Sequence, residues 1–111
     1  MDLKEIKKLI SAFSEETIEF GKKEEYILER INSTKEKVIR ELLILENLEF
    51  VEKQERKNET RYALYFVYSK RNGRVYIITL KDKLRVITAY PLGKKTLSKY
   101  DKKRFINYKK Q

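Results

Sequence analysis

The side chains that could do chemistry in this chain are cations and hydroxyls, because its 111 residues include no histidine and no cysteine. RNA carries its own nucleophile, the 2′-hydroxyl, so a protein can cleave RNA by aligning that group with the phosphorus and neutralising the developing charge. Arginine and lysine supply charge, and tyrosine or lysine can take part in proton transfer. On or beside the predicted strands, and at the start of a helix, we predict these catalytic residues: Lys23, Arg61, Arg74, Arg85, Thr88 and Tyr90.

The composition excludes several other classes of chemistry. Without cysteine there is no disulfide framework, thiolate zinc site or cysteine nucleophile, and without histidine the commonest metal ligand is missing. A Mg²⁺ site needs converging carboxylates, but the basic half of the chain holds only Asp82 and Asp101. The three glycines are isolated, so no phosphate-binding glycine loop is present. We therefore expect neither a metal nor a cofactor.

The net charge of +10 is unevenly distributed along the chain. Residues 1–69 hold 13 basic and 15 acidic side chains, whereas residues 70–111 hold 14 basic and 2 acidic ones. Such a concentration favours a polyanionic partner, although a solvated tail is the simpler alternative. Aromatic rings interleaved with the charges favour RNA, because rings stack on unpaired bases while cations bind phosphates. These rings are Tyr90, Tyr100, Phe105 and Tyr108.

The predicted nucleic-acid-binding residues extend the catalytic set along the basic half and the two helices before it. They are Lys22, Arg30, Lys70, Arg71, Lys81, Lys83, Lys94, Lys95, Lys99, Tyr100, Lys102, Lys103 and Arg104. If Lys102, Lys103 and Arg104 contact phosphates, reversing their charge should weaken RNA binding and flatten its salt dependence.

Length and hydropathy predict one domain. Residues 1–93 are expected to form a single α+β domain, and residues 94–111 a basic C-terminal extension that is partly helical. No apolar run approaches the roughly 20 residues that span a bilayer. The first ten residues carry charge where a signal peptide would be apolar, so we expect a cytoplasmic protein.

Helical periodicity dominates the first 46 residues. Residues 2–13 place apolar side chains at helical spacing, with Asp2 able to cap the helix. Helical spacing resumes over residues 26–31. A capping-box pattern at Ser33–Glu36 then precedes a wide apolar stripe that ends near Glu46.

From Asn47 onward the periodicity changes to that of strands. The segment Thr17–Phe20 already alternates and could be a short strand. Later, a polar loop is predicted at residues 54–60, a type I′ hairpin at Asn72-Gly73 and a tight turn at residues 81–83, with Pro91 ending the last strand. The four strands between these signals are residues 48–53, 61–69, 75–80 and 84–90. Helices followed by a meander predict an α+β fold, with the helices on one face of a roughly four-stranded antiparallel sheet.

This order of elements, together with the last strand Arg85–Leu92 after the segment Arg74–Thr79, resembles the RelE-type members of the barnase–EndoU–colicin–RelE superfamily of small nucleases. The likeness covers about residues 17–105, and the Val-Ile-Thr-Ala-Tyr stretch is its most distinctive part. The resemblance implies a RelE-like fold and a toxin-like, metal-independent endoribonuclease acting on RNA, free or on the ribosome. It also implies an antitoxin protein that covers the active face.

Carried over by position, Thr88 and Tyr90 match the polar residues of the family's last strand. The cations that match its phosphate-contacting residues are Arg61, Arg74 and Arg85. Many relatives place a histidine just after the first short strand, where this chain has Lys22 and Lys23. RelE itself works with lysine, arginine and tyrosine in place of histidine.

Two other functions compete with the ribonuclease. One is a winged-helix DNA-binding regulator, but its recognition helix would carry Lys35, Lys37 and Arg40 against three glutamates, and two later strands would be unexplained. The other is an inactive RelE-like domain that binds RNA or a protein, using the same cations as the enzyme would. That winged helix would comprise residues 26–31, 34–46, 48–51 and 62–64, with residues 54–60 as its wing.

Overall fold

The computed structural model describes residues 1–98, which form helices packed on a five-stranded mixed sheet. The helices are α1 (Leu3–Ile10), α2 (Glu24–Arg30) and α3 (Lys35–Ile44). The strands are β1 (Ile18–Glu19), β2 (Leu48–Arg56), β3 (Glu59–Val67), β4 (Gly73–Leu80) and β5 (Leu84–Leu92). Short 3₁₀ turns lie at Glu15–Thr17 and Gly21–Lys23, and residues 94–98 are helical.

The three predicted helices are confirmed, but Thr34 caps α3 in place of the Ser33 expected from the capping-box pattern. Asp2 caps α1 by accepting a hydrogen bond from the Lys4 N–H at 3.0 Å. Thr34 caps α3 by accepting the Lys37 N–H at 3.3 Å, which satisfies a donor that the helix leaves unpaired. Helix α2 starts two residues before the predicted helical spacing. Helix α3 ends where Leu45 adopts a left-handed φ of 57°.

The sheet has one strand more than the roughly four antiparallel strands predicted. Its order is β1-β5-β4-β3-β2, in which β2 to β5 form an antiparallel meander. The two-residue strand β1 pairs in parallel with β5, through Ile18 with Leu84 and Glu19 with Arg85. The segment before α2 thus covers part of an edge whose backbone groups would otherwise be unpaired.

The predicted polar loop at residues 54–60 is wrong. Strands β2 and β3 continue in register to the pair Arg56 and Glu59, so only Lys57 and Asn58 form the turn. The side chains of this ribbon are partly or fully exposed on both faces. Its polarity therefore reflects solvent on both sides rather than an irregular backbone.

The predicted type I′ turn at Asn72-Gly73 is also wrong. Strand β3 ends at Val67, and the connection to β4 is closed by the Tyr68 N–H donating to the Asn72 carbonyl at 2.9 Å. Gly73 begins β4 without a positive φ. A Cβ at this position would lie 2.8 Å from the carbonyl oxygen of Phe66, so glycine is needed for a close approach of two strands.

Pro91 does not end the last strand, because β5 continues to Leu92 and Pro91 is paired with Arg74 of β4. On its other side β5 is paired with β1 only at Leu84 and Arg85. Within residues 1–98, no strand is paired with this edge of β5 at Pro91. The missing N–H of proline therefore removes no hydrogen bond between strands on that side.

The sheet buries side chains on both faces. The larger core lies under the helices and includes Ile6, Ile27 and Leu42 packed against Phe66 and Tyr76. The opposite face has a smaller cluster: Ala63, Tyr65, Val75, Ile77, Leu92 and Leu97. Leu97 comes from the helical residues 94–98, so the start of the predicted extension packs on the domain. Over residues 1–98, no helix has the length and apolarity required to cross a membrane.

We expect Gly73→Ala to destabilise the fold by about 1–3 kcal/mol, because the added methyl would force β4 away from Phe66. The matched control is Gly93→Ala, where a Cβ would meet nothing within 4 Å. Urea unfolding of both variants measures the difference. Equal unfolding midpoints would contradict the close approach at Gly73.

Candidate nucleic-acid interface

A row of polar side chains crosses the sheet on the face opposite the helices. Thr79 of β4 is paired with Arg85 of β5, and Arg85 is paired with Glu19 of β1. Strands β3 and β4 are paired at Tyr62 and Ile78. Extending this register by one residue places Arg61 of β3 beside Thr79 of β4. Since neighbouring strands lie about 4.8 Å apart, the Cα atoms of the two arginines are about 10 Å apart.

A β-bulge decides which other residues share this face. The β4–β5 register shifts between Ile77 and Ile78, which pair with Thr88 and Val86, so Ile87 is an extra residue in β5. Arg85 and Thr88 are three residues apart and would point to opposite faces of a regular strand. With the bulge, both are paired with residues on the open face.

The two arginines line an open groove of about 450 Å³. The turn at Gly21–Lys23, in which Gly21 has a φ of 68°, brings two lysines to the groove. Apolar side chains lie among the charged ones; Phe20 and Val86 are buried, and Ile87 is partly exposed. Its lining residues are Phe20, Gly21, Lys22, Lys23, Glu59, Arg61, Arg85, Val86 and Ile87.

A second groove of about 300 Å³ continues from the first and shares Glu59 and Arg85 with it. It adds the β4–β5 turn, whose Lys81 and Lys83 stand on either side of Asp82. The predicted catalytic residues Lys23, Arg61 and Arg85 and the predicted binding residues Lys22, Lys81 and Lys83 therefore lie along one surface, which we call the basic groove.

Two glutamates hold the arginines of the basic groove. The Arg61 Nε–H donates to Glu59 at 2.8 Å, and the Arg85 Nε–H donates to Glu19 at 3.1 Å. The Lys83 ammonium lies 3.5 Å from the same Glu19 carboxylate. The hydrogen bond from Arg61 lowers the pKa of Glu59, so this carboxyl is ionised at neutral pH. Within residues 1–98, each guanidinium keeps further N–H donors for a ligand.

The other two predicted catalytic residues of β5, Thr88 and Tyr90, lie on the open face but farther along the strand than Arg85. Thr88 is paired with Ile77, about 7 Å along the strands from the arginines, and follows the groove-lining residue Ile87. Tyr90 is paired with Val75, a further row away. The Tyr90 ring is instead 5.5 Å from the guanidinium of Arg30.

Arg74 is not brought together with the other predicted catalytic residues, because it lies on the helix-covered face. Its guanidinium donates to the Tyr76 hydroxyl at 3.0 Å and to the Ile31 carbonyl at 3.1 Å, and lies 3.4 Å from Glu41 of α3. Tyr76 and Tyr68 also donate to Glu41. Arg74 therefore joins α3 to β4, and its guanidinium is bound by groups of the protein itself.

The other predicted binding residues are scattered. Lys70 and Arg71 are exposed in the β3–β4 connection, and Lys94 and Lys95 lie on the helical residues that follow β5. The predictions for Lys99, Tyr100, Lys102, Lys103 and Arg104 fall outside the described residues.

Sequence reasoning missed Glu19, Glu59 and Thr79. Glu59 falls in the predicted polar loop, although its alternation with Arg61 is that of two residues on one face of a strand. Thr79 is 5% exposed between the two arginines, and only the strand register reveals that position.

No protein-family model matches this chain. No curated protein and no solved structure matches it either. Among residues 1–98, no three histidine, cysteine, aspartate or glutamate side chains are grouped to hold a metal ion.

The Glu41 cluster predicts a specific loss of stability in alkali. Burial, followed by the charge of Glu41, raises the pKa of Tyr76, and burial with the hydrogen bond to Glu41 raises that of Tyr68, both from an ordinary value of 10.0. Their contribution to stability is complete below about pH 10 and is lost as pH rises through the higher folded pKa, because the unfolded chain releases these protons first.

We therefore expect the urea midpoint of the protein to fall as pH rises from about 10 to 11.5, and to fall less steeply in Tyr76→Phe. The control is Tyr26→Phe, which changes an exposed tyrosine. Parallel pH profiles for Tyr76→Phe and the unmodified protein would contradict this assignment.

Proposed function

We propose that the basic groove binds single-stranded RNA and that the protein cleaves it without a metal ion, as a RelE-like toxin of the cytoplasm whose antitoxin would cover the same groove. The observation that carries this proposal is that four cations from three separate segments line one groove together with one carboxylate. The cations are Lys22, Lys23, Arg61 and Arg85, and the carboxylate is Glu59.

The mixture of charge and apolar surface favours RNA as the ligand. Phosphates require cations, whereas riboses and unpaired bases pack on apolar surface such as the partly exposed Ile87. A DNA duplex would require a basic element that enters a groove of the double helix. Helix α3, the alternative recognition helix, has Lys35 paired with Glu24 at 3.1 Å, and its charged residues are three cations and two glutamates.

The same residues can be given roles in cleavage. In this proposal the free N–H groups of Arg61 and Arg85 bind the phosphate oxygens and neutralise the developing charge. Glu59 accepts the proton of the 2′-hydroxyl, whose oxygen attacks the phosphorus. The bond to the 5′-oxygen breaks, and that oxygen takes a proton from the Lys23 ammonium. The products are a 2′,3′-cyclic phosphate and a 5′-hydroxyl.

The binding step is tested by removing one positive charge at a time. We expect Arg61→Gln or Arg85→Gln to weaken binding of a fluorescent 2′-O-methyl RNA oligonucleotide, and to reduce its salt slope by about 0.7 for each phosphate that the variant no longer neutralises. The measurement is fluorescence anisotropy in EDTA between about 50 and 200 mM KCl. The control, Arg40→Gln, removes the same charge from the exposed surface of α3. Equal weakening in all three variants would mean that net charge, and not the basic groove, determines binding.

The cleavage step is tested by comparing substitutions of Glu59 and Glu19, because each of these glutamates accepts a hydrogen bond from one arginine of the groove. With end-labelled RNA in EDTA, we expect the protein to produce 2′,3′-cyclic phosphate ends. Glu59→Gln should slow cleavage by about 100-fold or more, because the proton acceptor is removed, without weakening binding. Glu19→Gln frees Arg85 in the same way but should leave cleavage intact. Equal cleavage by the two variants would remove Glu59 from this role. RNA binding with no cleavage by the unmodified protein would support the inactive binding domain.

A further inference from the structure

Tyr26 is the most exposed aromatic residue among residues 1–98, at 58% exposure. An exposed ring is ordinary by itself, but this one is held against the sheet. The guanidinium of Arg30, one turn along α2, lies 5.9 Å from the centre of the Tyr26 ring and 5.5 Å from that of Tyr90 on β5. One cation thus links the exposed ring to a strand, which restricts where the ring can point.

Tyr26 is also close in the chain to residues that line the basic groove. Helix α2 begins at Glu24, directly after the turn that brings Lys22 and Lys23 into the groove. Tyr26 follows Lys23 by three residues, or about 4.5 Å along a helix. A ligand whose phosphate contacts Lys23 therefore has the Tyr26 ring within reach of the same nucleotide or the next.

The charges on α2 indicate which part of a ligand this helix can contact. Its sequence carries three glutamates and one arginine, so the helix is net negative and does not attract phosphates. What α2 offers is a flat, accessible ring. The matching part of a nucleic acid is an unpaired base, whose face stacks on aromatic side chains and is hidden in a duplex.

We infer that Tyr26 is a stacking site for one unpaired base of RNA bound in the basic groove. Arg30, which contacts the rings of both Tyr26 and Tyr90, holds the Tyr26 ring in place for the base. This inference rests on the proposed RNA binding by the groove. It adds a base-recognition site to a surface otherwise described by its phosphate contacts. The site is not selective for one base, because every base has a face that can stack.

The absence of tryptophan from the chain allows a direct test. Tyr26→Trp introduces a single indole at the proposed site, and its fluorescence should change when 2′-O-methyl single-stranded RNA is added, with the same midpoint as the anisotropy signal. The control is Ile44→Trp, which places an indole at another exposed helix position, 61% exposed at the end of α3. That fluorescence should stay constant.

A second comparison measures the contribution of the ring to affinity. Tyr26→Leu should weaken RNA binding by about 10-fold, while Tyr26→Phe should keep it. Neither change should affect binding of an abasic oligonucleotide, which has phosphates but no bases. If Arg85→Gln weakens RNA binding but Tyr26→Leu does not, and the indole fluorescence of Tyr26→Trp is constant, the stacking site is wrong and the groove stands. If the unmodified protein binds no RNA, the proposed function fails together with this inference.

Discussion

The extra residue in β5 determines which side of the sheet each residue of that strand occupies. Because side chains alternate along a strand, one inserted residue reverses the faces of all that follow. With Ile87 inserted, Val86 and Ala89 both reach the helix-covered core, and Arg85 and Thr88 both lie on the open face. Without it, the residues after position 87 would exchange faces, placing the Tyr90 hydroxyl in the core and leaving Ala89 outside. The core and the basic groove therefore depend on the same bulge.

The two faces treat arginine differently because they differ in access to water. On the helix-covered face, Arg74 is surrounded by Glu41, Tyr76 and a backbone carbonyl, as a half-buried charge must be if it is not to destabilise the fold. On the open face, Arg85 has one carboxylate partner and keeps more than half of its side-chain surface exposed. The first arginine is a structural link between α3 and β4, and the second is available to a ligand.

The sequence was sufficient to predict the helices and the presence of each long strand, because caps and periodicity are local properties. It was misleading about where strands end and turn, because these positions depend on pairing between strands. The polar run after Lys53 continues as a ribbon, Gly73 serves a close approach and not a turn, and Pro91 is tolerated at an open edge. For the same reason, Arg74 and Arg85 were grouped together: strand β4 is buried on both faces, so its sequence does not reveal which side Arg74 takes.

Charge counted along the chain was also an incomplete guide to the site. The basic excess lies after residue 69, yet Lys22, Lys23 and Arg61 of the basic groove come from the net acidic part before it. In that part glutamates are nearby, and Glu59 holds Arg61 at 2.8 Å. Such a contact lowers the local net charge, but it also fixes the guanidinium before a ligand arrives, which reduces the entropy lost on binding. In the proposed RNA complex, the lysines would then provide attraction over distance, while the arginines would provide fixed geometry at the phosphate.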